Sequence, residues 1–191
     1  MADSTLGFAF RVGKYGSDEP GTFRYPSAAA VLPSGEVVVT DSWNSRLQVM
    51  VLNCETGEME VSAIHNFNAG VEPYGVTVMN GRIFVSVQGF GATPHGVFEF
   101  SWSDHDPAKP VEADAKGKKK GTAPTAIDPK RPPQLWAVNF FGGKVDTKDG
   151  AFAYPCGLAV HSPSECILVA DRLALWSPLL FCARDVTING P

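Results

Sequence analysis

Long apolar runs are missing from this sequence. No uninterrupted run approaches the roughly 18 residues that a membrane-spanning helix needs, so no membrane span is expected. Residues 1–10 also lack the basic stretch and apolar core of a secretory signal. These two absences favour a soluble protein of the cytoplasm.

Cysteine is scarce, and its spacing excludes two kinds of site. The four cysteines are neither paired closely enough for a zinc site nor dense enough for a disulfide scaffold. None of the four histidines lies two to four residues from another, so no local metal pair is present. Buried free thiols are the expected state of the cysteines, which are Cys54, Cys156, Cys166 and Cys182.

Basic charge and catalytic motifs are also in short supply. The formal net charge is −4, and the lysine cluster at 116–120 is typical of a solvated linker, so nucleic-acid binding is disfavoured though still open. The sequence contains no P-loop, no G-x-S-x-G motif and no catalytic cysteine environment. No cofactor and no resident metal are therefore predicted, and a non-catalytic role is favoured.

Glycine and proline, by contrast, are abundant. The chain has 19 Gly and 15 Pro among 191 residues, which indicates frequent turns and favours many short strands over long helices.

An internal repeat organises the chain. Residues 21–52 and 150–171 both contain G-x-F-x-Y-P, an apolar run, a turn, a β-branched run and an Asp, and residues 70–85 follow a similar order. The anchors are Pro26, Pro73 and Pro155. The second interval is too long by 30 to 40 residues, and residues 103–133, rich in Lys, Pro, Asp and Ala, account for the excess as a predicted disordered insertion.

Each repeat has the pattern of four strands. In the first repeat we predict strands at 28–32, 36–40, 46–52 and 59–65, and in the second at 75–79, 82–87, 96–102 and 135–141. Asn80-Gly81 is the clearest hairpin turn. The predicted organisation is thus a leading strand, the first blade and most of the second in 1–102, the insertion in 103–133, and the last strand of the second blade plus an atypical third in 134–191.

The segment from Val39 to Val49, VTDSWNSRLQV, resembles the V-x-D-x-x-N-x-R-I-Q-V core of NHL repeats, and Phe23 and Pro26 fit the F-x-x-P that precedes it. Phe8–Gly13 resembles a closing strand that leads into a repeat. In the second repeat Ser86 stands where the Asp is expected, and the third keeps Asp171 but lacks Asn-x-Arg. The resemblance implies an all-β, NHL-type partial β-propeller of about three four-stranded antiparallel blades, where family rings have six.

Three blades leave open edges, which solitary domains avoid. Either the chain associates with another copy through these edges, or it is a fragment of a longer, truncated or mis-spliced product; the second is the preferred expectation. Residues 173–191 abandon the repeat. Because Pro178 interrupts them, we predict an irregular tail with an exposed apolar patch.

The meander of a blade places alternate turns on opposite faces. The turns at 41–46, 88–95 and 171–176 are therefore expected on one rim, beside Tyr25, Tyr74 and Tyr154. Short polar side chains there are expected mainly to satisfy turn backbone, with Arg46 pairing with a carboxylate, while a ligand-binding role stays open. Trp43 and Phe90 are either contact residues or lids on a neighbouring blade. The candidate interaction rim comprises Asp41, Trp43, Asn44, Arg46, Phe90, His95, Asp171 and Arg172.

The preferred functional hypothesis is a protein-interaction scaffold with a protein partner. One alternative is a propeller hydrolase or lyase, similar to lactonases or amidating lyases, with a metal in the central channel. Another is an RNA-binding NHL module, which needs a basic rim with exposed aromatic residues. Arg46 and Arg172 are the evident basic candidates for that rim.

Overall fold

The computed structural model describes residues 10–104, 133–143, 152–172 and 180–184. These residues form strands and two short 3-10 turns, and the described part contains no α-helix. The prediction of an all-β chain of antiparallel sheets is therefore confirmed.

The first blade is a four-stranded antiparallel meander of β3 (Pro26–Val31), β4 (Val37–Asp41), β5 (Arg46–Asn53) and β6 (Glu58–Asn66). Its strands follow the predicted ones to within two residues at each end. A bulge between Pro26 and Ala28 shifts the register of β3 against β4. Ser42–Asn44 form a 3-10 turn between β4 and β5.

The second blade has the same order and consists of β7 (Val71–Met79), β8 (Arg82–Gly89), β9 (His95–Ser103) and β10 (Gln134–Gly143). Asn80 and Gly81, both at positive φ, connect β7 to β8, as a tight hairpin requires. The predicted insertion lies between β9 and β10, whose adjoining ends pair directly through Ser103 and Gln134. The prediction that it is disordered concerns residues that are almost all outside the described ones.

The third blade contains β11 (Pro155–His161), β12 (Cys166–Asp171) and β13 (Leu180–Arg184) among the described residues. β13 pairs antiparallel with β12 from Cys166↔Arg184 to Ala170↔Leu180. The prediction of an irregular tail is wrong for this stretch. Pro178 precedes the strand and removes no hydrogen bond from its ladder, so the proline rule does not forbid pairing.

The start of the described chain also differs from the prediction. Residues 10–13, the described part of the predicted leading strand, have no regular secondary structure. Instead β1 (Lys14–Tyr15) pairs parallel with β2 (Thr22–Phe23).

The blades pack face to face in succession. The core between the first and second blades is built around Val38, Leu47, Val49, Ile83 and Val85. The core between the second and third is built around Phe84, Val97, Phe152, Ile167 and Val169. The second blade is therefore apolar on both faces, and the chain forms a partial propeller.

Candidate functional site

The turn after β4 is organised by one buried carboxylate. Asp41 is fully buried, and its Oδ2 accepts hydrogen bonds from Asn44 Nδ2 at 2.8 Å, Arg46 Nε at 2.8 Å and Gln48 Nε2 at 3.1 Å. Its Oδ1 accepts the backbone N–H of Arg24 at 2.7 Å. One acidic side chain thereby joins the turn, the following strand and the segment that enters the blade.

Arg46 is equally internal. It is 5% exposed, and besides Asp41 it donates through Nη2 to the carbonyl oxygens of Glu19 and Thr22. Both side chains are buried in internal hydrogen bonds, as expected for polar groups that satisfy turn backbone and for an Arg46 paired with a carboxylate, and an interaction role for them stays a prediction. Half-buried Asn44 also donates to the carbonyl oxygen of Gly16 at 2.9 Å.

Asp171 has a related task in the third blade. It is 4% exposed and accepts the backbone N–H groups of Ala153 and Tyr154, both at 2.6 Å. In strand register Asp41 lies opposite Pro26 and Asp171 opposite Pro155, while Val87 lies opposite Pro73. The residue that replaces the Asp in the second blade is therefore Val87, and the sequence assignment of Ser86 to that position is wrong by one residue.

Ser86 corresponds instead to Thr40, and these two hydroxyl groups fasten adjacent blades. Thr40 Oγ1 accepts the N–H of Ala28 at 2.9 Å and donates to the carbonyl oxygen of Tyr74 in the second blade at 2.7 Å. Ser86 Oγ accepts the N–H of Gly75 at 2.8 Å and donates to the carbonyl oxygen of Cys156 in the third blade at 2.7 Å. We call this pair of residues the hydroxyl latches.

The residues exposed on the rim of the first blade are aromatic. Trp43 is 52% exposed and stacks on Tyr25, which is 57% exposed, with ring centroids 4.9 Å apart and an interplanar angle of 12°. The Arg24 guanidinium lies 5.5 Å from the Trp43 ring centroid. Tyr25 has φ of 58°, a backbone conformation that is uncommon for a bulky residue. We call Arg24, Tyr25 and Trp43 the aromatic stack.

A second cluster lies where the second and third blades meet. The Arg172 guanidinium lies 4.7 Å from the Tyr154 ring centroid, and the rings of Tyr74 and His95 lie 6.4 and 6.2 Å from it. His95 Nδ1 is buried without a hydrogen-bond partner in the described structure. Phe90, just after β8, is 49% exposed. Tyr74, Tyr154, His95 and Arg172 are thus brought together, as the blade geometry predicts.

Burial raises the pKa of one group in this cluster, Tyr74, and of one beside it, Cys156, whose Sγ donates to the carbonyl oxygen of Tyr154. It raises the pKa of the Tyr74 phenol, and the Glu72 carboxylate, which accepts the Tyr74 O–H at 3.0 Å, raises it further. Burial also raises the pKa of the Cys156 thiol. Neither group is activated as a base or nucleophile at neutral pH, because both shifts favour the protonated form.

Residues of the N-terminal segment form a groove that the sequence analysis did not identify. An open cavity of about 560 Å³ lies beside the aromatic stack and is lined by Arg11, Val12, Gly13, Lys14, Tyr15, Phe23, Tyr25 and Pro26. Arg24 was missed as well. The G-x-F-x-Y-P motif placed Tyr25 near the rim, but no local pattern predicts which cation packs on which ring.

No three His, Cys, Asp or Glu side chains of the described residues gather as a metal site would require. No helix in the described part is both long and apolar enough to cross a membrane.

The successive antiparallel sheets define a partial β-propeller. The NHL repeat model matches residues 23–50, which span the G-x-F-x-Y-P region, β3, β4 and most of β5. The chain thus contains an NHL repeat in its first blade, as the Val39–Val49 motif indicated.

Among solved structures, a protein from Lactobacillus plantarum is 12% identical, with a TM-score of 0.49. The match covers 83% of this chain and 40% of that one, so this chain spans less than half the length of its structural neighbour. No curated relative matches the sequence.

Proposed function

We propose that the chain is a non-catalytic interaction scaffold that binds a protein partner through its rim, with the aromatic stack as the main contact. The observation that supports this is the exposure of two stacked rings beside a guanidinium. Trp, Tyr and Arg are the residues that contribute most to binding energy in protein interfaces. Large exposed rings without such a role are a solubility liability.

The polar network under the stack supports the same role. Asp41 holds the backbone N–H of Arg24, and the backbone N–H of Trp43 donates to the carbonyl oxygen of Arg24 at 3.1 Å. Hydrogen bonds to the backbone of Arg24 and Trp43 therefore position the aromatic stack before any partner binds. Such preorganisation lowers the entropic cost of binding.

The acidic residues on this side of the blades argue against hydrolase or lyase chemistry there. Asp41 and Asp171 each accept hydrogen bonds from backbone N–H groups of the entering segment. Both carboxylates are buried, whereas a general base must be within reach of the proton that it abstracts from a substrate.

RNA binding is the second candidate. Nucleobases stack on exposed aromatic rings, and Arg11 and Lys14 line the groove beside Tyr25. Two facts weigh against it. Arg46, expected on a basic rim, is buried, and the chain carries a net charge of −4.

Affinity capture with quantitative mass spectrometry tests the scaffold proposal. Bait proteins are the wild-type chain, Trp43→Ala, and the control Phe141→Ala, which removes a 39% exposed aromatic side chain from β10. We expect Trp43→Ala to weaken a direct partner about 30-fold, since a hot-spot residue contributes about 2 kcal/mol. Phe141→Ala should behave as wild type.

Two further measurements distinguish the scaffold from RNA binding and from an enzyme. Binding of a fluorescent single-stranded RNA, lost in Trp43→Ala, would replace the protein partner by a nucleic acid. Stoichiometric calcium or zinc in the purified protein would favour the enzyme. Recovery of every protein at equal levels with all three baits would refute the scaffold role of the aromatic stack.

A further inference from the structure

Both ends of the blade stack present flanks that match the interfaces inside the chain. In each blade, side chains alternate between the face toward the preceding blade and the face toward the following blade. The anchor prolines show which positions of different blades are equivalent. The first-blade flank, facing no described blade, contains Ala29, Val31, Val37 and Val39. Strand register makes them equivalent to Val76, Val78, Ile83 and Val85, the second-blade residues that pack on the first blade.

Exposure shows that the first-blade flank lacks such a neighbour. Ile83 and Val85 are fully buried against the first blade, whereas their equivalents Val37 and Val39 are only partly buried, and Val31 is 65% exposed where its equivalent Val78 is partly buried. Leaving large apolar side chains in water forgoes the favourable free energy of burying them. The flank therefore has the composition of a blade interface without the blade.

The third-blade flank is the complementary surface. It contains Gly157, Ala159, Leu168 and Ala170, which are equivalent to Ala28, Ala30, Val38 and Thr40, the first-blade residues that face the second blade. Gly157, Ala159 and Ala170 are exposed. The small side chains on β11 match those on β3, where they allow the next blade to approach closely.

Hydrogen-bonding positions extend this match. Ser42 and Gln88 follow the Asp41 and Val87 positions and donate to the carbonyl oxygens of Pro73 and Pro155 in the next blade. Arg172 directly follows Asp171, as Ser42 follows Asp41, and its guanidinium also carries hydrogen-bond donors. Ala170, in contrast, stands where Thr40 and Ser86 carry the hydroxyl latches, so one of the two polar contacts is absent from this flank.

We propose that a second copy of the chain covers both flanks. The third-blade flank of each copy would pack on the first-blade flank of the other, with Arg172 donating to the carbonyl oxygen of Pro26 across the interface. Two such contacts related by a two-fold axis close a ring of six blades, within the range of 4–8 that propellers adopt. The second copy is the favoured occupant because each chain carries both halves of an interface that it already forms twice internally.

The outer strands agree with this arrangement. The third sheet has three strands in the described part of the chain, whereas the first two sheets have four. When Pro26 is aligned with Pro155, residues 10–14 align with residues 139–143 at the end of β10. The aligned glycines Gly13 and Gly142 both have positive φ. In the proposed dimer this segment lies beside β13 of the other copy, where a fourth strand belongs.

Sedimentation velocity of the purified chain over a range of concentrations tests the proposal. Wild type should sediment at twice the chain mass. Val31→Glu and Ala159→Glu, which place a charge on opposite flanks, should each raise the dimer dissociation constant at least tenfold. Val51→Glu, at a position that is 49% exposed on β5, is the control and should dimerise as wild type.

A gain-of-contact variant sharpens the test. Ala170→Thr restores the missing latch at both interfaces, so it should dimerise several-fold more tightly than Ala170→Val, which has the same shape but no hydroxyl. Three results would overturn the proposal: a monomer at every concentration, which would leave the flanks to a different partner; dimers insensitive to both flank charges; or tighter dimers for Ala170→Val than for Ala170→Thr. The measurement uses the purified chain alone, so its outcome is independent of the rim proposal.

Discussion

At the scale of single residues, the first blade contains a buried pair of opposite charges, Asp41 and Arg46. Asp41 is fully buried, and its carboxylate oxygens accept four hydrogen bonds, one of them from the guanidinium of Arg46. Removing one partner of such a pair strongly lowers the free energy of unfolding, because the other charge is left without a counter-charge in the low-dielectric interior. The Asp-x-x-Asn-x-Arg pattern is thus a folding device for the turn that carries Trp43.

Asp41→Asn keeps the shape of this side chain and removes its charge. We expect it to lower the free energy of unfolding by about 3–5 kcal/mol, because it leaves the buried Arg46 without its counter-charge. Urea denaturation at pH 7 measures the loss. Glu60→Gln, which removes an exposed charge on β6, is the control and should change stability by less than about 0.5 kcal/mol. Equal losses in the two variants would contradict the role given to Asp41.

His65 gives the molecule a pH dependence. Its ring packs against Phe67 and Phe100, with centroids 5.0 and 4.8 Å away, and burial lowers its pKa below the ordinary 6.5. The unfolded chain therefore takes up a proton at a higher pH than the folded chain does. Stability contributed by the neutral ring is complete above about pH 6.5 and falls as the pH drops from there toward the folded-state pKa.

Unfolding measured at pH 7.5 and 5.5 should show this decline in wild type and less of it in His65→Phe, which keeps an aromatic ring but cannot titrate. His161→Gln, at the exposed last residue of β11, should decline as wild type does. If His65→Phe loses as much stability as wild type between the two pH values, other groups are responsible.

At the scale of elements, the blades are joined by the same polar contact twice. Thr40 and Ser86 each bridge their own inner strand and a carbonyl oxygen of the next blade. Apolar packing between blades is tolerant of sliding, whereas a hydroxyl held between a donor and an acceptor fixes the register. The latches therefore explain how successive blades keep one relative position.

Ser86→Ala tests the latch between the second and third blades. It leaves the N–H of Gly75 and the carbonyl oxygen of Cys156 unsatisfied, and each buried unsatisfied group costs about 1–3 kcal/mol. Amide hydrogen exchange should speed up in β11 more than in β5, since only the third-blade interface loses its contact. Ser62→Ala, on the exposed face of β6, should leave exchange unchanged. Uniform acceleration in both strands would instead indicate a global loss of stability.

Elements with strong local signals were predictable, and those set by distant partners were not. The eight strands of the first two blades follow from β-branched runs and turn residues such as Asn80-Gly81. Ser86 was misassigned because the distance from the anchor proline to this position varies between repeats, from 15 residues between Pro26 and Asp41 to 14 between Pro73 and Val87 and 16 between Pro155 and Asp171. β13 and the β1–β2 pair form because a particular strand of the folded chain lies beside them, and no local sequence pattern contains that information.

The candidate site shows the same division. Sequence placed Trp43, His95 and Arg172 near one rim because alternate turns of a meander share a face. It also predicted that the short polar side chains satisfy turn backbone, but it did not identify Gly16, Glu19 and Thr22, whose carbonyl oxygens accept hydrogen bonds from Asn44 and Arg46. The loop that buries these polar groups lies more than twenty residues earlier in the chain.

At the scale of the whole molecule, the second blade is the centre of the assembly, because it contributes to both cores. Its outer strand β10 is reached only after residues 105–132, yet β9 and β10 pair at their adjoining ends through Ser103 and Gln134. The distance to be bridged is therefore that of an ordinary hairpin. The fold itself requires only a short connection there.

Replacing residues 105–132 with a four-residue Gly-Ser turn should consequently leave the blade intact. Loop-closure entropy grows as about (3/2)RT ln n, so shortening the connection should stabilise the folded state by roughly 1–2 kcal/mol. The midpoint of urea unfolding should rise while the far-ultraviolet circular dichroism of the strands is unchanged. A Gly-Ser segment of the original length is the matched control, and its stability should equal that of wild type. A loss of stability in both variants would contradict this prediction. It would mean that the natural 105–132 segment contributes contacts of its own and that the second blade depends on more than its four strands.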